Sequence, residues 1–384
     1  MTRPLTLMFI AGEVSGDIHA GRLLQTIKAR HPEVQAFGIG GKTLRDAGME
    51  VLVDDSDMAV VGLTEIFKRL WFFKKVFDRM LTEAATRRPD AIILVDYPGF
   101  NLRFAARAHA LGLKVIYFIC PQVWAWNRGR IPRMARVINR LITIFPFEAR
   151  HFEGTGLKVD YVGHPLVDEA QRDLAAPEPD LPWPGTPHVA LLPGSRTHEI
   201  EMLLPDMLGA ASLVAQRHPG AGFLIPAASP KIRALIEKTI ALTPVKPARL
   251  AIVDGQARMV LRGARAGLVT SGTATLEAAL MRCPNVIIYR VSPLTYFIAR
   301  RLVKLDHMGI VDIIANKTVC PELIQHMVTP QAMTDMLLPL LDDTPARATM
   351  LVEMNDAIGQ LGQGGAIERA ADAILTELTP ATPR

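Results

Sequence analysis

Short apolar runs alternate along the chain with longer stretches in which apolar residues recur every three or four positions. Runs at 5–11, 34–39, 91–95, 114–119, 140–144 and 159–162 are mostly apolar and often β-branched, without strict alternation. The same holds at 189–192, 222–225, 250–253, 266–269 and 285–288. That pattern predicts strands buried on both faces, as in parallel sheets. The stretches between them have helix length. In 17–30, Asp17 stands where a cap is needed, and Ile18, Leu23, Leu24 and Ile27 make one apolar stripe.

The two series are separated by 175–187, which holds five prolines and so excludes a continuous helix or a central strand. This stretch reads as a linker at 177–188, between a domain at 1–176 and a domain at 189–384 whose last helices can pack back or swap. Strand and helix alternating twice over predict two Rossmann-like, doubly wound α/β units. The expected ligand site is a cleft between them.

Composition narrows the possibilities. With 49% hydrophobic and 21% charged residues, the chain is not disordered, collagen-like or low-complexity. No uninterrupted apolar run is long enough for a membrane span, and the first one meets Gly12-Glu13 too soon for a secretory signal. Cys120, Cys283 and Cys320 lie far apart, and the ten histidines form no HExxH set. We therefore expect no disulfide framework, no metal, no cofactor and a cytoplasmic location. His164 reads as a structural residue at a domain seam. Charge is uneven: residues 1–176 hold 24 basic against 19 acidic side chains, and residues 177–384 hold 19 against 19. A basic first part suits an anionic partner, with nucleic acid, a membrane surface and a phosphorylated substrate all open.

Several motifs sit where strands end. After the first strand, Gly12 and Gly16 allow a sharp turn, and Glu13, Ser15 and Asp17 crowd polar groups there. The spacing is not GxGxxG, which disfavours a dinucleotide. After 189–192, Gly194 and Ser195 offer backbone N–H groups, Arg196 adds a forked cation, and Glu199 follows in the same turn. After 266–269, Ser271, Gly272, Thr273 and Ala274 allow close approach, and Glu277 is placed to take ribose hydroxyls or to serve as a helix-start charge. Two anion-friendly turns in one α/β domain point to a nucleotide diphosphate.

In the first domain, Asp96 ends a buried strand and is a candidate general base, or a loop cap. Gln122, Trp124, Trp126 and Asn127 precede a series of arginines from Arg128 to Arg140. Indoles suit a sugar face or a membrane boundary and arginines suit a phosphate, although half-buried tryptophans beside a solvated basic helix would look the same. Across 63–81, Leu63, Ile66, Phe67, Leu70, Phe73, Phe77, Met80 and Leu81 keep helical spacing, Trp71 widens the stripe, and five cations accompany it. That pattern fits a helix lying on an anionic bilayer, a groove for acyl chains, or a core helix.

Together these residues resemble the lipid-A-disaccharide synthase family. The likeness runs through AGEVSGD at 11–17, VDYPGFN at 95–101, PQVWAWNRGR at 121–130, FPFE at 145–148 and VGHPLVD at 162–168. It continues through LLPGSR at 191–196, SGTATLE at 271–277, YRVSPLT at 289–295, RLVK at 301–304 and CPELIQ at 320–325. The resemblance implies a GT-B-type fold and an inverting, metal-independent glycosyltransferase. Such an enzyme joins UDP-2,3-diacylglucosamine to 2,3-diacylglucosamine 1-phosphate and releases UDP. It implies that Gly194, Ser195, Arg196, Glu199, Ser271, Gly272, Thr273, Ala274, Glu277 and Asn316 serve the UDP-sugar donor. Asp96 is then the base for the acceptor 6-hydroxyl, with Glu13, Ser15, Gly16, Asp17, Gln122, Trp124 and Asn127 on the acceptor side. The 63–81 segment would touch acyl chains or the anionic inner-membrane face, no nucleic acid is expected as a partner, and a homodimer is plausible by C-terminal exchange. One departure stands out: Val311-Asp312 occupies the place of a Pro-Asn pair in the family. The competing readings are another GT-B-type enzyme, such as a UDP-N-acetylglucosamine 2-epimerase, and a non-catalytic, membrane-bound nucleotide-sugar binder.

Overall fold

The computed structural model describes residues 4–58, 66–178, 180–302 and 306–379. Leu63 lies outside them, as do the side chains of Ile66, Phe67, Leu70 and Trp126.

The first sheet has seven parallel strands: β1 (Thr6–Ala11), β2 (Gln35–Gly40), β3 (Glu50–Asp54), β4 (Ala91–Val95), β5 (Val115–Phe118), β6 (Arg140–Thr143) and β7 (Lys158–Tyr161). Their order is β3-β2-β1-β4-β5-β6-β7. The second has six: β8 (His188–Leu192), β9 (Gly222–Ala227), β10 (Leu250–Asp254), β11 (Ala266–Thr270), β12 (Asn285–Tyr289) and β13 (Glu322–Ile324), in the order β10-β9-β8-β11-β12-β13. Each sheet reverses its winding at one point, between β1 and β4 in the first and between β8 and β11 in the second. In such sheets ligands bind beyond the carboxyl ends of the strands at that point.

The central strands form because their side chains are apolar on both faces. Leu7 to Ala11 and Ala91 to Val95 are fully buried, and so are Val189 to Leu191. Two strands escaped the pattern, β3 and β13. Both are edge strands, short or flanked by carboxylates, and an edge needs no second apolar face.

The two compact units are 1–165 with 363–384, and 166–362. The boundary thus falls at Pro165/Leu166, ahead of the proline-rich stretch. That stretch lies in the second unit, where Trp183 stacks on His188 with ring centres 4.4 Å apart and Arg249 donates to the Pro184 carbonyl. The Ala366–Leu378 helix returns to the first unit. Its Ala366, Ala370, Ala371 and Ile374 are buried, Glu377 pairs with Lys158 at 3.1 Å and Arg140 at 3.4 Å, and Arg369 donates to the Val162 carbonyl.

Two local expectations change. The first helix runs Val14–Arg30, so Asp17 lies inside its first turn and does not cap it. The amphipathic segment gives a helix at Ile66–Arg87. Its Val76, Met80 and Ala84 are buried in the first unit's core, with Phe73 and Phe77 packed against it, while Trp71 stays 73% exposed. The helix is therefore a core element along one stripe and carries Trp71 on its exposed side. No helix among the described residues is long and apolar enough to cross a membrane. The three cysteines are free and buried.

Candidate active site

In the first unit the winding reverses beside Asp96. The chain leaves β4 through two consecutive left-handed residues, Asp96 at φ 45° and Tyr97 at φ 47°. Non-glycine residues hold that conformation only where their surroundings enforce it. Here the Asp96 carbonyl accepts from Asn101 Nδ2 at 2.8 Å and from the Tyr117 hydroxyl. Asn101, fully buried, also donates to the carbonyls of Ile10 and Val95, tying the ends of β1 and β4 together. The Tyr97 ring lies over Gly12, where a Cβ would come within 2.6 Å of it. Gly12 is thus required for close approach of the two loops.

The Asp96 carboxyl is half-buried. Burial, reinforced by the Glu13 charge, pushes its pKa up to about 6, with a backbone hydrogen bond from Tyr97 pulling the other way. A carboxylate that titrates close to neutrality is suited to general-base work. Glu13, at the cap of the Val14–Arg30 helix, is exposed and its charge acts on Asp96, while Ser15 is exposed and Gly16 buried in the first turn of that helix.

Other residues expected on the acceptor side make contacts within the fold. Asp17 is buried and accepts from the backbone N–H groups of Gly41 at 2.7 Å, Thr43 at 2.8 Å and Leu44 at 3.1 Å, so it holds the start of the Lys42–Asp46 helix that follows β2. Trp124 is 5% exposed, and its Nε1 donates to Glu148 at 3.2 Å. Glu148 also accepts from the N–H groups of Ile144 and Phe145, yet burial raises its pKa to about 8. Gln122 is exposed and Asn127 half-buried on the loop after β5. His164 is buried against Phe145, and burial lowers its pKa to about 3, as befits a structural neutral histidine.

Two cavities flank the turn that follows Asp96. One, of about 620 Å³, is lined by Trp71, Phe73, Phe77, Tyr97 and Phe100 together with Lys74 and Arg103. The other, of about 230 Å³, is treated below.

In the second unit, a cavity of about 460 Å³ occupies the switch point. Gly194, Ser195, Arg196 and Glu199 line one side, and Ser271, Gly272, Thr273, Ala274 and Glu277 the other. Sequence reasoning therefore assembled most of the lining. It missed Pro226 and Ala228 at the end of β9, and Gly255, Gln256 and Ala257 after β10. The Asp254-Gly255 turn after a mostly apolar, half-buried strand was the signal available.

Within this cavity the groups divide their work. Glu199 accepts from the N–H groups of Ser195 at 3.0 Å and Arg196 at 3.2 Å and pairs with the Arg196 guanidinium at 3.0 Å. It thereby caps the Thr197–Arg217 helix. Gly194 sits at φ 111°, and a Cβ there would collide with the Glu199 carboxylate. On the other side the Thr273–Leu280 helix begins, and the first N–H groups of a helix have no acceptor within it. Ser271 donates its hydroxyl to the Met308 carbonyl. Glu277 faces Arg258 at 3.5 Å, which also holds Glu169 at 2.9 Å and Asp173. Burial raises the Glu277 pKa against the pull of Arg258.

Asn316 is not among the cavity residues. It is exposed, ending the Ile310–Ala315 helix in a left-handed conformation at φ 52°. Asp312 is buried and turned to the N–H groups of Val319 at 2.6 Å and Cys320 at 2.9 Å, and burial raises its pKa. The Val-Asp departure thus serves an internal loop.

Two parallel α/β units with loops gathered at their switch points are the hallmark of GT-B-type nucleotide-sugar enzymes. Among solved structures, a putative UDP-N-acetylglucosamine 2-epimerase from Listeria monocytogenes aligns over 99% of this chain and 98% of its own, with a TM-score of 0.69 and 13% identity. The calicheamicin glycosyltransferase CalG4 aligns over all of both chains, with a TM-score of 0.61 and 15% identity. Likeness at that identity concerns the fold alone. The sequence carries more: the family profile described as lipid-A-disaccharide synthetase matches residues 7–376. A lipid-A-disaccharide synthase of Anaeromyxobacter dehalogenans is 39% identical over 96% of each chain. The chain belongs to the lipid-A-disaccharide synthase family, and is a glycosyltransferase that takes a nucleotide-sugar donor and a sugar acceptor. The epimerase reading is not favoured.

Proposed function

We propose that this glycosyltransferase joins UDP-2,3-diacylglucosamine to 2,3-diacylglucosamine 1-phosphate, giving the β-1,6-linked disaccharide 1-phosphate and UDP. The observation that carries this reading is the contrast between the two switch points. One presents a carboxylate tuned to about 6, and the other a cavity rich in glycine, hydroxyl and helix-start N–H groups.

In the proposed reaction Asp96 accepts the proton of the acceptor 6-hydroxyl as that oxygen attacks C1 of the donor sugar. The C1–oxygen bond to UDP breaks on the opposite face, so a single displacement inverts the donor's configuration. Charge grows on the departing diphosphate. Arg196 and the start of the Thr273–Leu280 helix stabilise it, an electrostatic contribution that can exceed that of proton transfer. Glu277 is placed for the ribose hydroxyls, and Glu199 holds the Gly194–Arg196 loop in shape. The 620 Å³ cavity takes acyl chains. Exposed Trp71, with Lys74 and Lys75 beside it, rests on an anionic membrane face.

The test is incubation of the purified protein with both acylated sugars, with the products read by mass spectrometry. A disaccharide phosphate is expected. UDP binding without product would leave only a nucleotide-sugar binder, and turnover of a water-soluble UDP-sugar without lipid acceptor would return the epimerase reading.

A further inference from the structure

Beside the apolar cavity lies a second one of about 230 Å³, lined by Pro98, Gly99, Leu102, Arg103, Arg130, Arg133, Met134 and Val137. Three arginines from two packed segments line it. Arg103 comes from the Pro98–Ala110 helix, and Arg130 and Arg133 come from the turn and helix at 128–137. No carboxylate is among the lining residues. Three arginines around a small concavity suit a phosphoryl group, whose oxygens accept paired N–H bonds from each fork.

The two cavities are neighbours: Gly99 and Arg103 line both, and a Cβ at Gly99 would meet nothing within 4 Å. Both begin at the turn that follows Asp96. Gly99 is three residue steps beyond Asp96, at most about 11 Å of extended chain. One of the adjoining cavities is therefore mainly aromatic and the other cationic, and the candidate base immediately precedes in sequence the turn that lines both. That arrangement matches one amphiphile carrying acyl chains, a phosphoryl group and a hydroxyl to be deprotonated.

We propose that Arg103, Arg130 and Arg133 form the phosphate subsite for the acceptor, an acylated hexosamine phosphate whose chains lie against Phe73, Phe77 and Phe100. The proposal rests on the reading of the first unit as the acceptor side. In a hexopyranose, carbon 1 and the carbon that bears C6 flank the ring oxygen, whereas carbons 2 and 3 lie across the ring. A phosphoryl on carbon 1 can thus sit in the arginine cavity while the 6-hydroxyl reaches Asp96 and the acyl groups point to the aromatic cavity.

The experiment compares wild type, Arg133→Ala, Arg130→Ala/Arg133→Ala and Arg133→Lys. Acceptor binding is titrated in neutral-detergent micelles with the phosphorylated acceptor and with the same acceptor after phosphatase treatment. Turnover is measured in parallel. Wild type is expected to bind the phosphorylated form roughly tenfold more tightly or better. The alanine variants lose that preference, raise KM for the phosphorylated acceptor by a similar factor, and keep kcat and the donor KM within about twofold. Arg133→Lys restores part of the affinity. Equal losses on both acceptors, or no loss, overturn the proposal. So does an effect that vanishes in neutral micelles and appears only on vesicles of anionic phospholipid, which would assign the arginines to bilayer headgroups. Binding that depends on phosphate while no disaccharide forms supports the subsite and counts against the proposed transfer.

Discussion

The two sheets reverse their winding in the same way but put opposite chemistry there. At the first switch point the loops hold carboxylates: Asp96 in a left-handed turn and Glu13 across from it. At the second they hold glycines, hydroxyls, Arg196 and a helix start, and the two carboxylates there, Glu199 and Glu277, are paired with Arg196 and Arg258. Topology therefore decides where a ligand can sit, and the loop residues decide whether the place receives a proton or a negative charge. The first site raises a carboxylate's pKa by burial and by a like charge. The second offers partial positive charge without a metal.

Four experiments would break or sharpen that contrast. The largest effect is expected from Asp96→Asn: kcat falls by ~10²-fold or more while calorimetric affinity for UDP stays unchanged. Near-normal turnover would remove Asp96 from the proton transfer. Next comes Arg196→Ala, which should weaken UDP binding by roughly tenfold and leave acceptor affinity alone. An unchanged UDP affinity would mean that Arg196 serves only Glu199. Asn101→Ala should cost about 1–3 kcal/mol in denaturant unfolding, because three carbonyls lose their shared donor, and it should lower kcat without altering UDP affinity. A variant as stable as wild type would show that the left-handed turn holds itself.

The smallest effect concerns pH. Asp96 must be ionised to accept a proton and is protonated below about 6, so kcat/KM should fall as pH drops through that value. Glu13 raises the Asp96 pKa, so Glu13→Gln should move the acid limb to lower pH. An acid limb that does not move would mean that burial alone sets the value.

The readable parts of the chain were those where chemistry and position coincide. Central strands such as 91–95 are apolar on both faces and announce themselves, and glycine-hydroxyl turns directly after strands marked the second cavity. What stayed hidden depends on partners distant in sequence. Asp17 looks like a helix cap until the 41–44 backbone is seen to surround it. Trp124 looks like a sugar platform until Glu148 claims its indole. Glu199 follows Arg196 at capping-box spacing, but arginine is an unusual N-cap residue, so the signal was easily passed over. The arginine cavity unites Arg103 with Arg130 and Arg133, which only the packing of two helices brings together.

The return of the Ala366–Leu378 helix to the first sheet has a consequence for biosynthesis. The strands it covers are finished within the first 165 residues, yet Arg140 and Lys158 meet Glu377 only after some two hundred further residues have been made. At about 5–20 residues per second on the ribosome, the nascent first unit waits ten seconds or more with that flank uncovered. A fragment ending near 165 would keep that flank bare.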